Sequence, residues 1–415
     1  MTRTRRKHTL LVLSVLLLTV SCREDDPPRV VFTVTVDESY VTATDDTYII
    51  LHNTNGDLIE YKPLESGETI EFETAAKTPG DKVDVTIARI YGNPSGRGLT
   101  YLWSYLEVPA GQSWTLTYRQ VTYGPAREYD QAGTYTMLLN NFNGAVARSI
   151  SDRNYLLPSS TSNSPSSLTA SIYSQNHKHL LSLDNGTNLK YRFIEDPKNG
   201  ETYTFDFNQM TAFDKTISVP FTEPSYVYAH VMGYETMEDF RYLTGFVLYN
   251  SISSGQKRNS LNIGYLNSML KFRTEIRLGA GKWEVSHVSR GAAPASLLLP
   301  SPSAFTFQEK FAHSVVYSST VPVTYRVSYF MSEGLTSTEG THWYFYAPEG
   351  RTRQPSFPDA LREKYPMLDV GEFRHYSTTF YTKTWPYETF LAREFGGMSR
   401  KAEEDEFEDV AVVLY

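Results

Sequence analysis

Apolar and polar residues alternate with a period of two along much of the chain. The first such run, RVVFTVTV, places Val30, Phe32, Val34 and Val36 on one face, which is the pattern of a half-buried β-strand. Comparable runs follow at ETIEFE (68–73), KVDVTIARI (82–90) and LTYLWSYLEV (99–108). About seven such strands within roughly ninety residues, separated by Gly, Pro and Asn turns, predict an Ig-like or transthyretin-like β-sandwich.

The alternation continues through the middle of the chain. Residues 134–140 and 145–150 predict a hairpin that turns at Asn143-Gly144, because Asn-Gly favours the positive φ angles of tight turns. A serine-rich segment at 159–167 is interpreted as a loop or linker. Further strands are predicted at 171–173, 180–183, 189–194, 202–207, 226–232 and 246–249.

Two of the predicted hairpins share an order of residue types. Asn55-Gly56 leads to ETIEFE, and Asn185-Gly186 leads in the same way to ETYTFD, which puts Phe72 and Phe205 in matching places. The match predicts a duplicated sandwich in which both Asn-Gly pairs form the same turn and both phenylalanines lie in cores. A fainter third copy begins at Trp283, and chance similarity between hairpins is the alternative.

Near the C-terminus the alternation gives way to two helical stretches, at 357–365 and 386–395, and resumes in a last strand at 411–415. That strand is expected to close the sheet of a third domain. The predicted fold class is all-β, with three tandem Ig-like/transthyretin-like β-sandwich domains and short helices near the C-terminus. The predicted domains span residues 29–122, 130–266 and 267–415, the last with an irregular C-terminal extension.

The N-terminus has the pattern of a secretory signal. Four basic residues within 3–7 precede an apolar run at 9–20, and Ser21 precedes the single cysteine, Cys22. The apolar run is shorter than the roughly 20 residues that a membrane-spanning helix needs. This length favours a cleaved signal peptide over a retained helix.

The segment Leu18-Thr19-Val20-Ser21-Cys22 resembles the signal of bacterial lipoproteins. The resemblance implies that residues 1–21 are a signal peptide and that Cys22 becomes the acylated N-terminus of the mature chain. Several acyl chains hold a protein on a membrane without a spanning helix. The alternative is an ordinary signal peptide followed by an incidental cysteine.

The acidic cluster Glu24, Asp25 and Asp26 resembles the surface-export signal of Bacteroidetes-type lipoproteins. This resemblance implies an outer-membrane protein that is lipid-anchored through Cys22 and faces the cell exterior. Residues 22–28 then serve as anchor and spacer, and the two prolines at their end favour a stiff, extended conformation. A solvated charged linker is the alternative interpretation of the cluster.

The charge balance restricts the partners of the protein. Removing residues 1–21 takes away four positive charges and no negative ones, so the formal net charge of −8 becomes −12. Such a chain is poorly suited to nucleic acid or to an anionic membrane surface. The predicted partners are therefore the outer-membrane lipid, through acylated Cys22, and a glycan or protein ligand.

No motif of catalysis or cofactor binding stands out in the sequence. The chain has neither a Gly-x-Ser-x-Gly elbow nor a glycine-rich phosphate loop. His177, His179 and His230 are interpreted as exposed hairpin histidines, because a metal site needs three or four converging ligands. The sequence predicts no cofactor, no metal site and no enzymatic activity, although a glycosidase pair of carboxylates would meet only in three dimensions.

Aromatic residues supply the remaining signal. Tyr101, Trp103 and Tyr105 alternate and therefore share one face of a strand, and a second group crowds residues 373–387. A row of aromatic rings can stack on sugars, and the alternative is that the rings fill a sandwich core. The predicted ligand-binding residues are Tyr101, Trp103, Tyr105, Tyr376, Tyr381, Trp385 and Tyr387.

These features predict a non-enzymatic binding or adhesion protein on the bacterial surface, with a glycan or a host macromolecule as ligand. One alternative is a fimbrial anchor or accessory assembly subunit, because the order of anchor, spacer and sandwiches resembles the anchor and accessory subunits of Bacteroidetes fimbriae. Another is a glycan-processing enzyme with an unrecognised carboxylate pair. Exposed aromatic platforms would favour binding, and two close carboxylates in a cleft would favour catalysis. An unpaired strand edge or a displaced terminal strand would favour assembly.

Overall fold

The computed structural model describes residues 27–42, 44–75, 81–93, 97–117, 131–143, 147–153, 157, 159–161, 167–173, 178–221, 224–254, 259–332, 339–348, 354–368, 373–396 and 406–415. Within these residues strands dominate and the helices are short, which confirms the predicted all-β class. The predicted signal peptide, Cys22 and the acidic cluster lie outside the described residues.

The N-terminal part of the chain folds into two sheets. Its strands are β1 (Arg29–Val36), β2 (Asp45–Asn53), β3 (Leu58–Pro63), β4 (Thr69–Thr74), β5 (Lys82–Asn93), β6 (Arg97–Pro109) and β7 (Gln112–Leu116). One sheet has the order β4-β1-β7, and the other contains β3-β2-β5-β6. Strand β1 runs antiparallel to β4 and parallel to β7.

The alternating residues of these strands form the core between the two sheets. Phe32, Phe72 and Trp114 are buried, and Phe32 meets Trp114 edge to face at a centroid distance of 4.9 Å. A bulge in β1 separates Val30 from Phe32, so Val30 is exposed and Val31 is buried. The predicted apolar face therefore begins at Phe32, because a bulge shifts the alternation by one residue.

The next part of the chain forms two four-stranded sheets. Its strands are β8 (Gln131–Asn140), β9 (Ala147–Ser151), β10 (Ser159–Thr161), β11 (Ser167–Tyr173), β12 (Lys178–Asp184), β13 (Leu189–Glu195), β14 (Thr202–Asp206) and β15 (Thr211–Ala212). The sheet orders are β10-β11-β8-β14 and β15-β13-β12-β9. The prediction of a hairpin at Asn143-Gly144 is wrong, because β8 and β9 belong to different sheets.

The topology of these two parts repeats, but not in the predicted alignment. Strand β8 runs antiparallel to β11 and parallel to β14, as β1 does to β4 and β7. The order β9-β12-β13 likewise repeats β2-β5-β6. The hairpin β12–β13 therefore corresponds to β5–β6 in the fold, and its predicted equivalence to β2–β3 is wrong.

The two Asn-Gly turns also differ in geometry. Asn53 donates its N–H to the carbonyl of Asp57 at 2.9 Å, so Gly56 is the last of three loop residues. Asn185 donates its N–H to the carbonyl of Asn188 at 3.2 Å, so Gly186 is the first of two. Phe72 is fully buried, whereas Phe205 is partly exposed at the margin of its core.

The rest of the described chain, from Lys215 onward, contains both strands and helices. The strands are β16 (Lys215–Pro220), β17 (Tyr226–Tyr234), β18 (Phe246–Ser254), β19 (Ser260–Tyr265), β20 (Lys271–Ala280), β21 (Trp283–Gly291), β22 (Phe305–Phe311), β23 (Ser314–Ser319), β24 (Tyr325–Ser332), β25 (Gly340–Ala347), β26 (Phe373–Lys383) and β27 (Phe407–Leu414). The helices are α1 (Met237–Tyr242), α2 (Asp359–Lys364) and α3 (Tyr387–Phe395). Helices α2 and α3 confirm the two helical stretches predicted near the C-terminus.

Most of these strands join one twelve-stranded sheet with the order β18-β17-β20-β21-β27-β26-β24-β25-β6-β5-β2-β3. Strand β25 runs parallel to β6 and so connects the C-terminal strands to the N-terminal ones. Strand β17 pairs with β20, so the sheet continues across the boundary predicted between residues 266 and 267. The division into three domains stays a prediction.

The last strand lies in the interior of this sheet. It pairs antiparallel with β21 on one side and with β26 on the other. Val410, Ala411 and Val412 are all buried. A continuous apolar run is the pattern of a strand that is covered on both faces.

The two faces of the large sheet are covered by different elements. Helix α2 and the β22–β23 hairpin pack on one face, where Phe305 stacks on Phe380 at 4.6 Å. Helix α3 packs on the other face, where Phe395 meets Tyr105 edge to face at 4.9 Å. Among the described helices, none combines the length and the apolar character needed to span a membrane.

Candidate functional site

A row of aromatic rings lies on the face of the large sheet that α3 covers in part. In register across β6, β25 and β24, Tyr101 is next to His342, and Trp103 is next to Tyr344 and then Tyr329. Cross-strand neighbours in register project from the same face. We call the set Tyr101, Trp103, Tyr329, His342 and Tyr344 the ring ladder.

The planes of the ladder rings are nearly parallel. Tyr101 stacks on His342 at 4.7 Å, and Tyr329 stacks on Tyr344 at 4.5 Å, each with an interplanar angle of 5°. Tyr329 and His342 also share a hydrogen bond of 2.5 Å between Oη and Nδ1. The ladder rings thus cover one another's faces. A ligand that stacks on an aromatic ring of the protein must therefore do so at rings outside the ladder.

Free ring faces occur beside the ladder, in a cleft of about 720 Å³. Tyr376 lies 5.2 Å from Tyr329 and 5.9 Å from Tyr415, steeply inclined to both rings. Tyr226, Tyr376 and Tyr415 are 37%, 46% and 43% exposed, although large hydrophobic side chains are usually covered. We call this the tyrosine cleft, lined by these three tyrosines together with Glu284, Met331, Arg374 and His375.

Local backbone features open the cleft. Strand β26 has a bulge opposite Tyr329 and Phe330, so Tyr376 is the extra residue, and bulges commonly re-aim a side chain. On the opposite side, Tyr226 pairs with Gly279 at the end of β20. Gly281 follows in the turn with φ +54° and has no heavy atom within 4 Å of a Cβ built there. Small residues at this turn therefore leave space above the sheet.

The charged side chains of the cleft lie at its two ends. Glu284 pairs with Val413 on β27, which in turn pairs with Thr379 on β26. Arg374 is five residues before Thr379, which corresponds to roughly 15 Å along a strand. The two charges are therefore too far apart to form an ion pair.

Burial sets the protonation of the other polar groups in the cleft. Burial and, to a smaller extent, the nearby Lys310 together lower the pKa of His375 to about 4, so the imidazole is neutral at pH 7. Burial also raises the pKa of Tyr415, with smaller contributions from Glu284 and Tyr376. The cleft thus presents phenol hydroxyls, a neutral imidazole and two separated charges.

The predicted ligand-binding aromatics do not form one surface. Tyr101 and Trp103 belong to the ring ladder, as their alternation predicted, and Tyr376 lines the cleft. Tyr105 and Tyr387 are both only 6% exposed. They are core residues that offer no ring face to a ligand, because packing against neighbouring rings covers them.

The last two predicted residues lie away from the cleft. Tyr381 stacks on Tyr325 at 4.4 Å and is partly buried. Trp385 is partly buried beside Arg393, whose guanidinium lies 4.0 Å from the ring centroid. A ligand-binding role for the exposed members of the predicted set stays a prediction.

Sequence reasoning did not select Tyr226, Glu284 or Tyr415 for the site. Each lies at the start or end of a strand that the alternation identified only as a strand. Their convergence depends on β27 lying between β21 and β26, which no local pattern specifies. The sequence feature that indicated a binding site in this region was the group of aromatic residues around Arg374.

The histidines differ from their predicted exposure. His179 is fully buried, and its Nδ1 lies 2.9 Å from the hydroxyl of Tyr135. His230 is partly buried beside Asn250. The interpretation as exposed hairpin histidines is therefore wrong for these two, and His177 lies outside the described residues. In the described part of the chain, no three His, Cys, Asp or Glu side chains cluster to hold a metal ion.

Comparison with known proteins identifies no family. No protein-family model matches the chain, and no curated protein matches it. Among solved structures, a Ca²⁺-stabilised adhesin that helps an Antarctic bacterium reach out and bind ice is 7% identical, with a TM-score of 0.13, over 86% of this chain and 95% of that chain. A tetra-tandem repeat in the extending region of a large adhesion protein is 10% identical, with a TM-score of 0.12, over 93% and 99%. TM-scores this low carry no argument about fold or function.

Proposed function

We propose that the protein is a non-enzymatic binding or adhesion protein, lipid-anchored on the bacterial surface through Cys22, and that it binds a glycan in the tyrosine cleft. The observation that carries the proposal is the convergence of three exposed tyrosines on one cavity. In the described part of the chain, the exposed aromatic side chains are Tyr91, Tyr226, Tyr242, Phe311, Tyr376 and Tyr415. Half of this set lines a single cleft.

The chemistry of the cleft suits a sugar. A pyranose has apolar C–H faces that can lie on a tyrosine ring, and hydroxyls that need hydrogen-bond partners at its rim. Tyr376 and Tyr415 supply the ring faces, and the Glu284 carboxylate supplies acceptor oxygens. Tyr376 contacts Tyr329 of the ring ladder and Tyr415, and these contacts restrict its ring, which reduces the conformational entropy lost on binding.

Two observations make the alternative functions less suitable. An assembly subunit was expected to show an unpaired strand edge or a displaced terminal strand, and the second of these features is not seen in β27, which is paired on both sides. A glycosidase needs two carboxylates on either side of the scissile bond. Among the described residues that line the cleft, Glu284 has the single carboxylate side chain.

The proposal is tested by a glycan array followed by calorimetry on the full chain purified in detergent. Tyr376→Ala is expected to weaken binding about tenfold, since a stacking contact of this kind contributes about 0.5–1.5 kcal/mol beyond burial. The matched control is Tyr242→Ala, which removes a similarly exposed tyrosine at the end of α1, outside the cleft. Equal losses in both variants, or no glycan bound by the wild type, would contradict the proposal.

A further inference from the structure

We infer that the ligand of the tyrosine cleft is an acidic glycan, whose carboxylate is bound by Arg374. This inference rests on the proposed function and specifies its ligand class. It starts from the state of Arg374, which is exposed and lines the cleft. The side chain of Arg374 makes no hydrogen bond or ion pair with any residue in the described part of the chain.

Two other arginines of the same sheet have a carboxylate partner, in contrast to Arg374. Arg273 and Arg277 both lie on β20, and Arg277 is two residues from Gly279, which lines the cleft. Both guanidinium groups contact the carboxylate of Glu275, at 3.5 Å and 2.7 Å. Arg374 has no such carboxylate on β26, so its donors are available to a ligand.

The charge of Arg374 is not offset within the cleft. His375 is neutral at pH 7 because burial lowers its pKa to about 4. Glu284 lies at the opposite end, roughly 15 Å away along the strand direction. Arg374 is thus the single cation among the described residues that line the cleft, in a chain whose formal net charge is −8.

A carboxylate matches this environment better than other groups on a sugar. The planar guanidinium presents parallel N–H donors that fit the two oxygens of a carboxylate. Elsewhere the negative charge of the protein repels an anion, so local attraction at Arg374 determines where an acidic sugar is placed. Tyr376, two residues along β26, then lies within reach of the ring that carries the carboxylate.

The test compares acidic oligosaccharides with neutral counterparts of the same length. The probes are galacturonic acid oligomers and sialyllactose, each beside its carboxyl-reduced form, titrated into the full chain in detergent at two salt concentrations. The wild type is expected to bind at least one acidic probe about tenfold more tightly than its reduced form. That preference is expected to weaken at the higher salt concentration.

Variants assign the preference to one side chain. Arg374→Gln is expected to abolish the preference while leaving affinity for the reduced probe unchanged, and Arg374→Lys is expected to retain part of it. The matched control is Arg192→Gln, which removes an exposed arginine of β13 that lies outside the cleft. It is expected to retain the full preference.

The outcomes separate this inference from the proposed function. Equal affinity for the acidic and reduced forms in both pairs would overturn the inference and leave glycan binding in place. A preference that survives Arg374→Gln would also overturn it, because another group would then hold the carboxylate. If none of the four probes binds while the array identifies another glycan, the inference fails and the proposed function stands. If the array identifies no glycan, or if Tyr376→Ala binds the probes as the wild type does, both proposals fail.

Discussion

Acidification is expected to destabilise this protein through His287. The side chain lies on β21, is 1% exposed, and places Nε2 3.1 Å from the hydroxyl of Ser289. Burial lowers the pKa of His287 from 6.5 and outweighs the attraction of Glu408 on β27; with a smaller contribution from Lys383, the resulting pKa is about 4. The carboxylate of Glu408 is 3.7 Å from Nδ1, so the pair would become ionic only after protonation.

The direction of the effect follows from proton binding. Above pH 6.5 the imidazole is neutral in both the folded and the unfolded chain. As the pH falls below 6.5, the imidazole is protonated in the unfolded chain, whereas in the folded chain it stays neutral until about pH 4. The free energy of unfolding therefore decreases. At about 1.4 kcal/mol per pKa unit, the full difference between 6.5 and about 4 corresponds to roughly 3 kcal/mol.

The measurement is the free energy of unfolding from urea titrations at several pH values between 7.5 and 4. His287→Asn keeps a polar group near Ser289 but has no proton to bind, so its stability is expected to fall less over this range, by roughly 3 kcal/mol. The matched control is His313→Asn, in the exposed turn between β22 and β23. Parallel pH profiles for the wild type and His287→Asn would refute the argument.

Other predictions address the core and the anchor. Phe72→Ala is expected to cost about 3–5 kcal/mol in urea unfolding, and Phe205→Ala about 1–2 kcal/mol because its ring is already partly in water; equal losses would contradict this difference. Cys22→Ala is expected to abolish labelling by a palmitate analogue, and equal labelling would remove the lipid assignment. Replacing the acidic residues 24–26 by alanine is expected to keep the label but to abolish cleavage by protease added to intact cells. Unchanged cleavage would mean that this segment is only a spacer.

The local elements of the fold were accessible from the sequence. The alternation at Phe32, at 82–90 and at 99–108 corresponds to strands, and the two helices near the C-terminus occur where the alternation stops. These elements depend on side-chain periodicity and turn residues, which act over a few positions. The bulge at Val31 shows the limit of this approach, because one inserted residue exchanges the two faces of a strand.

The burial of each side chain could not be predicted from the sequence in the same way. Tyr101 and Tyr105 share one face of β6, yet α3 and the neighbouring strands bury Tyr105 while Tyr101 stays in the partly exposed ladder. Similarly, Asn55-Gly56 and Asn185-Gly186 have the same residue types but belong to hairpins at different places in the repeated topology. Periodicity specifies which side of a strand a residue faces, and packing partners from distant sequence specify what covers it.

The sequence by itself therefore determined an all-β chain, many of its strand positions, its two late helices and a group of aromatics around Tyr376. Only the tertiary structure decided that β27 lies between β21 and β26, and that Tyr226, Glu284 and Tyr415 meet Tyr376 in one cleft. The physical reason is the range of the forces involved. Alternation and turn geometry are local steric effects, whereas strand order depends on the apolar surface that the whole chain buries.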